Sequence, residues 1–302
     1  MISPGSADDA PGAAALVAAC YDDRVVTVAG LRYRMLSARS EDRFGWWKAE
    51  VDDRLVGWAY GGLNAFSLTR TTAFAGLLVH PSFRCQGVGA ALWDEVSAHL
   101  ETIGAARIVG QSRSDLYTVE FLLRRSFSME GTDTSMAVDP RTIGSALAIP
   151  AHGIRIAPAS ELADDLARIF EADRQSTLDE PGPMDFSGMT FETWKQHQWD
   201  HPDCDHKLCI VALDGEVVVG TSFLFADRAG GVAANGGTGV IRAYRGRGLG
   251  LLMKQHSLAR AAEAGITRVF TQNDDTNAPM LAINKRLGYQ PFTTGHSWVL
   301  ER

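Results

Sequence analysis

Two short runs carry the residues best suited to chemistry: Arg84-Cys85-Gln86-Gly87-Val88-Gly89 and Arg245-Gly246-Arg247-Gly248-Leu249-Gly250. Glycines at alternate positions let a backbone turn tightly and leave room for a ligand against its amides. An apolar run precedes each, and a helical pattern follows. The first turn of such a helix offers unpaired N–H groups at the positive end of its dipole, a site suited to a pyrophosphate. Arg245 and Arg247 would add charge-assisted hydrogen bonds. Neither run is a commoner phosphate loop. The Gly-Lys-Ser/Thr of a triphosphate loop is missing, and a dinucleotide fingerprint normally follows the first strand of a parallel βαβ unit. Here each run follows strands that begin as an antiparallel hairpin.

The elements that must position these runs occur twice. Arg84 and Arg245 are separated by 245 − 84 = 161 residues, as are Gln111 and Gln272; Phe127 and Tyr289 are 162 apart, and Gly57 and Gly220 are 163 apart. A nearly constant offset indicates a duplicated domain, too long in period for a solenoid. The seam falls near Pro140 to His152, giving expected domains at 1–142 and 152–302. In the second half, strands are expected at 154–156, 207–213, 216–225, 231–241 and 266–271, with Asp214-Gly215 turning the hairpin. One or two further strands are expected over 289–300. Helices are expected at 161–172, 191–199, 249–264 and 276–287. The first half repeats the order: strands 46–51, 55–61 and 72–79, a helix from Val88, strand 107–110, a helix from Leu116, and strand 129–138. Antiparallel hairpins followed by βαβ units make a mixed sheet and an α/β class.

These residues resemble the GNAT superfamily of N-acetyltransferases, whose coenzyme motif reads R/Q-x-x-G-x-G/A; both runs fit it. The preceding strand ends, Leu77-Leu78-Val79 and Thr238-Gly239-Val240, fit as well. The stretch from Asn273 to Tyr289, with Asn277 near its start, resembles the family's second coenzyme segment. The resemblance covers nearly the whole chain, and tandem members of similar length include mycothiol synthase. It implies two acyl-CoA N-acyltransferase domains, each a mixed, mostly antiparallel sheet flanked by helices, with acetyl-CoA as cofactor. It further implies that the strand ends hold the pantetheine and polarise the thioester, on which an amine attacks directly.

Both halves depart from the family pattern. Many members carry a tyrosine before the last turn of that segment, proposed to protonate the leaving thiolate. Asn284 stands there in the second half and Leu122 in the first, and Ser126 replaces a turn glycine. The second half is therefore expected to be catalytic, with Asn284 as the candidate polar group and the first half binding coenzyme or serving as scaffold. By resemblance, the acidic segment with Asp173, Asp179, Glu180 and Asp185 would line the acceptor pocket, and an acidic lining suits a cationic amine. Trp199 is a candidate acceptor contact. A solvated loop and core tryptophans are the plain alternatives. His197, His201, Cys204, His206 and Cys209 crowd one segment, yet their spacing matches no common zinc pattern, so no metal is expected.

Composition narrows the function. A net charge of −7 argues against a general nucleic-acid binder. No run of ~18 apolar residues suggests a membrane span. Four cysteines without a CxxC pair suit a reducing compartment. The expectation is a cytoplasmic monomer or homodimer that acetylates a small-molecule amine, an antibiotic or metabolic intermediate. A mycothiol-synthase-like enzyme, a protein acetylase and a non-catalytic acyl-CoA sensor or scaffold are the alternatives.

Overall fold

A computed structural model describes residues 1–143 and 153–302. Ile149-Pro150 and His152, the far side of the expected seam, lie outside the described residues. The chain forms two compact units. The first takes Met1–Thr132, Gly182–Met189 and Gly295–Arg302; the second takes Asp133–Pro181 and Thr190–Thr294. The sequence repeat and the compact units thus divide the chain differently.

In the first half the elements are β1 (Ile2–Pro4), α1 (Ala10–Cys20), α2 (Val28–Ser37), β2 (Gly45–Val51), β3 (Arg54–Leu63), β4 (Thr72–Val79), α3 (Val88–Thr102), β5 (Arg107–Arg113), α4 (Leu116–Leu123) and β6 (Ser128–Val138). In the second they are β7 (Ile154–Pro158), α5 (Leu166–Thr177), α6 (Phe191–Trp194), β8 (Ile210–Asp214), β9 (Val217–Asp227), β10 (Val232–Val240), α7 (Leu249–Glu263), β11 (Arg268–Asp274), α8 (Ala278–Arg286) and β12 (Gln290–Glu301). Local chemistry sets the boundaries. Asp52 and Asp53, at φ 49° and 58°, turn the β2–β3 hairpin. The Asp115 side chain accepts from Thr118 N to start α4, and Asn277 accepts from Met280 N to start α8.

In the first unit β1, β2, β3 and β4 pair antiparallel in that order. β4 then runs parallel to β5 for only three positions, Thr72–Phe74 against Arg107–Val109. The other edge of β5 is taken by the last strand of the chain, Gly295–Glu301 of β12. The second unit repeats this with β7, β8, β9 and β10 antiparallel, and β10 parallel to β11 over Val232–Ala234. There the closing strand is Asp133–Val138 of β6. Each unit therefore takes its final strand from the other half of the sequence. Beyond the short parallel pairing the two central strands diverge, opening a wedge below the glycine loop. The first core packs Leu92, Val96 and Leu100 of α3 on Val56, Ala59, Ile108 and Trp298. The second packs Leu251, Leu258 and Ala261 of α7 with Leu224, Val269 and Tyr289, closed by Met136 and Val138.

Several elements differ from the sequence reading. The α1 run Ala-Pro-Gly-Ala-Ala-Ala-Leu-Val-Ala-Ala-Cys is apolar nearly all round, so it shows no helical stripe. The helix expected at 161–172 is a 3₁₀ turn at Ala159–Leu162 followed by α5. Phe191 to Trp199 is one α turn followed by a wide π turn. The strand expected from residue 207 starts at Ile210, because Leu208 N and Cys209 N close a turn on Asp205 O.

Candidate functional site

The two glycine loops share one conformation. In the first, Cys85 and Gly87 have φ 59° and 85°; in the second, Gly246 and Gly248 have φ 75° and 76°. Left-handed residues at alternate positions turn successive amides toward one point, a nest for an anion. Gly87 and Gly248 are the N-caps of α3 and α7, and a Cβ on either would meet nothing within 4 Å. The space beside each glycine is thus open, at the start of helices of 15 residues each. Gly89 and Gly250 are the second residues of these helices, with Phe121 and Ile283 respectively nearest to an added Cβ.

The loop side chains brace the nest instead of projecting from it. Arg84 Nε donates to Val79 O (3.2 Å), and Arg245 Nε donates to Val240 O (2.9 Å). Gln86 Nε2 donates to Ser82 O, and an Arg247 N–H donates to Ala243 O while its guanidinium lies 4.6 Å above the Tyr244 ring. Asp179 binds both Arg242 and Arg245, and these two guanidiniums hold its carboxyl well below the usual carboxylate range. Arg84 and Arg245 thus tie the strand end to its loop, and Arg247 ties back to the turn before it, around an anion site made of amides. Donors of this kind suit an anionic group such as a pyrophosphate.

The first unit's wedge is a cavity of about 490 Å³. Leu77, Leu78 and Val79 of β4, Gly110 to Arg113 of β5, and Cys85, Gly87 and Gly89 of the loop line it. Trp93, Leu122, Phe127 and Trp298 complete the apolar wall. Tyr21, at one side, has the Arg24 and Arg113 guanidiniums 4.6 and 5.0 Å from its ring centroid. Sequence reasoning missed Trp298, because nothing in a C-terminal strand says which half it will complete.

The positions that match that wall are polar in the second unit. Asn284 is fully buried; its Oδ1 accepts from Lys254 Nζ (2.7 Å) and its Nδ2 donates to Asn273 Oδ1 (2.6 Å). That bonding engages Asn284 as the partner of a buried lysine, and an amide in this role has no proton to give. Lys254 was overlooked; the signal was a lysine ending the apolar run Leu251-Leu252-Met253. Thr238 is buried against the Ser222 hydroxyl at 2.9 Å, Leu249 is buried, and Asn277 serves as the α8 cap.

The carboxyls stand beside β10. This strand carries a β-bulge between Asn235 and Gly237, whereas β4 pairs with β3 without interruption. An added Cβ on Gly239 would lie 2.1 Å from Ser176 Oγ, so the last turn of α5 rests on this strand. One turn earlier, Asp173 accepts from Thr221 Oγ1 and Trp194 Nε1, both at 2.9 Å. Burial raises its pKa to about 6 against those two bonds, which lower it. Glu180 is pushed up to about 7 by burial, then by the Asp173 charge, yet it keeps exposed surface. Asp173 is partly exposed and Glu180 exposed, so water reaches both.

The acidic segment is not one lining. Asp185 belongs to the first unit, where its carboxylate accepts from Ser67 Oγ and its carbonyl from Asn64 Nδ2. Trp199 is buried and stacks on His206 with ring centroids 3.8 Å apart, so that ring face is closed to an acceptor. Cys204 and Cys209 are buried with their sulfurs 3.7 Å apart. Among the described residues no three His, Cys, Asp or Glu side chains form a metal-holding group. No helix among them is long and apolar enough to cross a membrane.

Comparison with known proteins agrees with this architecture. The model of the acetyltransferase (GNAT) family matches residues 19–127 and 166–289. No curated protein matches the chain. A GCN5-related N-acetyltransferase from Sphaerobacter thermophilus is 19% identical, with a TM-score of 0.74 over 100% of this chain and 95% of its own. A tandem GNAT protein from the clavulanic acid biosynthesis pathway is 19% identical, with a TM-score of 0.74 over 100% of this chain and 98% of its own. A GCN5-related N-acetyltransferase from Kribbella flavida is 20% identical, with a TM-score of 0.50 over 91% and 96% of the two chains. At these identities the structures establish the fold, and the two family matches establish the lineage: the chain belongs to the GNAT acetyltransferase family and carries that family's domain in tandem.

Proposed function

We propose that the chain is an acetyl-CoA-dependent N-acetyltransferase for a small-molecule amine, with transfer in the second unit. The observation that carries this reading is the Asp173 carboxyl, held on Thr221 and Trp194 one helical turn from the side chain that covers Gly239. The amide nests at Gly246–Gly248 and Cys85–Gly87 would take the pyrophosphate, and the strand end Thr238-Gly239-Val240 the pantetheine arm. When bound, the acyl thioester supplies an electrophilic carbonyl and a sulfur leaving group. Asp173 and Glu180, titrating near 6 and 7, are poised to take a proton from an ammonium at neutral pH. The same pair draws in a cationic amine and disfavours an anionic one. The four cysteines stand as thiols, which suits a cytoplasmic enzyme.

The first unit supports a second reading for itself. Its wedge of about 490 Å³ can hold coenzyme, but Leu122 and an unbulged β4 equip it for binding more than for transfer. Calorimetric titration of acetyl-CoA into wild type, Gly87→Trp and Gly248→Trp, with thiol release measured on a panel of amines, separates the roles. Loss of turnover in Gly248→Trp alone is the expected result. Undiminished turnover in Gly248→Trp together with its loss in Gly87→Trp would move catalysis to the first unit. A wild type that binds no acetyl-CoA would overturn the enzyme reading.

A further inference from the structure

Lys254 is 2% exposed, in the second turn of α7. Its Nζ donates to Asn284 Oδ1 at 2.7 Å, lies 3.4 Å from Thr271 Oγ1, and sits 5.0 Å from the centroid of the Tyr289 ring. None of these partners is an anion. Tyr289 is kept neutral by burial, which pushes its pKa up, and among the described residues no carboxylate pairs with Lys254. A buried ammonium without an anion is costly, and a fold that keeps one has placed a charge in waiting. Burial brings its pKa down to about 7, so both charge states are available near neutrality.

The duplication shows what this charge replaces. At the offset of 161, Lys254, Thr271 and Asn273 correspond to Trp93, Gly110 and Ser112; Asn284 corresponds to Leu122 at 162. All four first-half residues line the first unit's cavity. The second unit has replaced that wall with a cation and a chain of amides. The chain runs from Lys254 through Asn284 to Asn273, which is partly exposed on β11 beyond the last parallel pair, Ala234 with Phe270.

We propose that Lys254 is a positioning residue whose ammonium, acting through Asn284 and Asn273, stabilises the thiolate that leaves the acyl donor in the second unit's wedge. This rests on the reading that transfer occurs in that unit. The step balances without an added reagent. The amine nitrogen bonds to the acyl carbon, the C–S bond breaks with its electron pair going to sulfur, and the amine proton goes to the Asp173–Glu180 pair. Lys254 keeps its own protons throughout. It meets an anion only as the C–S bond breaks, so its charge acts more on the transition state than on the bound thioester.

The test reads bound coenzyme A and needs no turnover. Thiolate ultraviolet absorbance is followed against pH for CoA bound to Gly87→Trp, so that the second unit reports, and to the same protein with Lys254→Met or Asn284→Asp added. The bound thiol is expected to titrate about one pH unit or more below free CoA, and either added substitution to cut its thiolate fraction about tenfold. Asn284→Asp places a carboxylate on the ammonium and cancels its field without emptying the site. Dethio-CoA, which lacks the sulfur, is expected to bind all three proteins with one Kd, showing that the groove persists. A thiol pKa unmoved by both substitutions would overturn the proposal. If Gly87→Trp binds neither CoA nor dethio-CoA, the assignment of transfer to the second unit fails first, and this proposal falls with it.

Discussion

Replacing Lys254 by methionine is expected to stabilise the protein below neutral pH, and to do so less as pH rises. The unfolded chain keeps this lysine protonated up to its ordinary value of 10.5, whereas burial lets the folded chain release the proton near 7. Between those values the unfolded state holds more protons, so stability rises with pH by ~1.36 kcal/mol per pH unit from this group. Below pH 7 the ammonium is present in both states and its burial penalty is fully felt. The gap from 10.5 to about 7 caps that penalty at roughly 5 kcal/mol. Methionine fills a similar volume but leaves Asn284 Oδ1 without its donor, a loss of about 1–3 kcal/mol. The net gain for Lys254→Met at pH 6 is then roughly 2–4 kcal/mol, shrinking toward zero or reversing between about pH 8 and 10. Urea unfolding followed by tryptophan fluorescence, on both proteins at each pH from 6 to 9, measures the difference directly. Titrations shared by the two proteins cancel. A difference that stays flat across this range would refute the idea that an unpaired ammonium is buried here.

Asp173→Asn is expected to lower kcat about 100-fold or more in a thiol-release assay while leaving the acetyl-CoA Kd unchanged. In wild type the acid limb of kcat/KM is expected between pH 6 and 7, from the raised pKa values of Asp173 and Glu180; a limb near pH 4 would remove both from the proton path. Trp298 is 1% exposed and its Nε1 donates to Ser112 Oγ at 2.8 Å, so Trp298→Ala is expected to cost about 3–5 kcal/mol in the first unit. A melting curve with no change in the first unit's transition would contradict its place in that core. Ser126 holds φ 64° where the second half has Gly288 at φ 79°, so Ser126→Gly is expected to gain ~1 kcal/mol, read as a Tm increase of a few degrees. A lower Tm would show that the hydroxyl contributes more than the strain costs.

What could be read from the sequence was the part fixed by local sterics. Gly57 and Gly220 were only landmarks of a repeat, yet each sits opposite the last residue of the loop-bearing strand, Val79 and Val240. An added Cβ on Gly57 would lie 2.7 Å from Leu92, and one on Gly220 2.8 Å from Met253, and these two side chains are themselves 161 positions apart. The helix after each loop comes close to the sheet at one place, and a glycine there leaves room for it. Such close approaches leave a mark in residue type. Partner choice does not. The alternation in β6 and β12 marks strands, but nothing local in it says that each closes the sheet beside the other half's central pair. Charge was misleading for a related reason. An arginine beside a glycine loop looks the same in sequence whether it reaches for a phosphate or, like Arg84 and Arg245, folds back on its own strand end. The lysine that matters chemically was hidden in an apolar helix.

That contrast bears on how the two units came to differ. Their loops have kept one backbone geometry although Cys85 stands where the second loop has Gly246, so the amide nest tolerates changes in the side chains around it. The walls below have drifted to opposite characters, Trp93 with Leu122 against Lys254 with Asn284. An apolar wall stabilises its unit and costs nothing to keep. A buried unpaired ammonium destabilises its unit by an amount comparable to a domain's whole margin. A destabilising group retained beside a loop of unchanged shape is better explained by use than by drift, which is why the predicted gain in stability of Lys254→Met and its predicted loss of thiolate stabilisation must be measured on the same protein. If the first appears without the second, the charge is only a defect of the fold. If both appear, the second unit keeps its lysine at the expense of stability because the departing sulfur needs it.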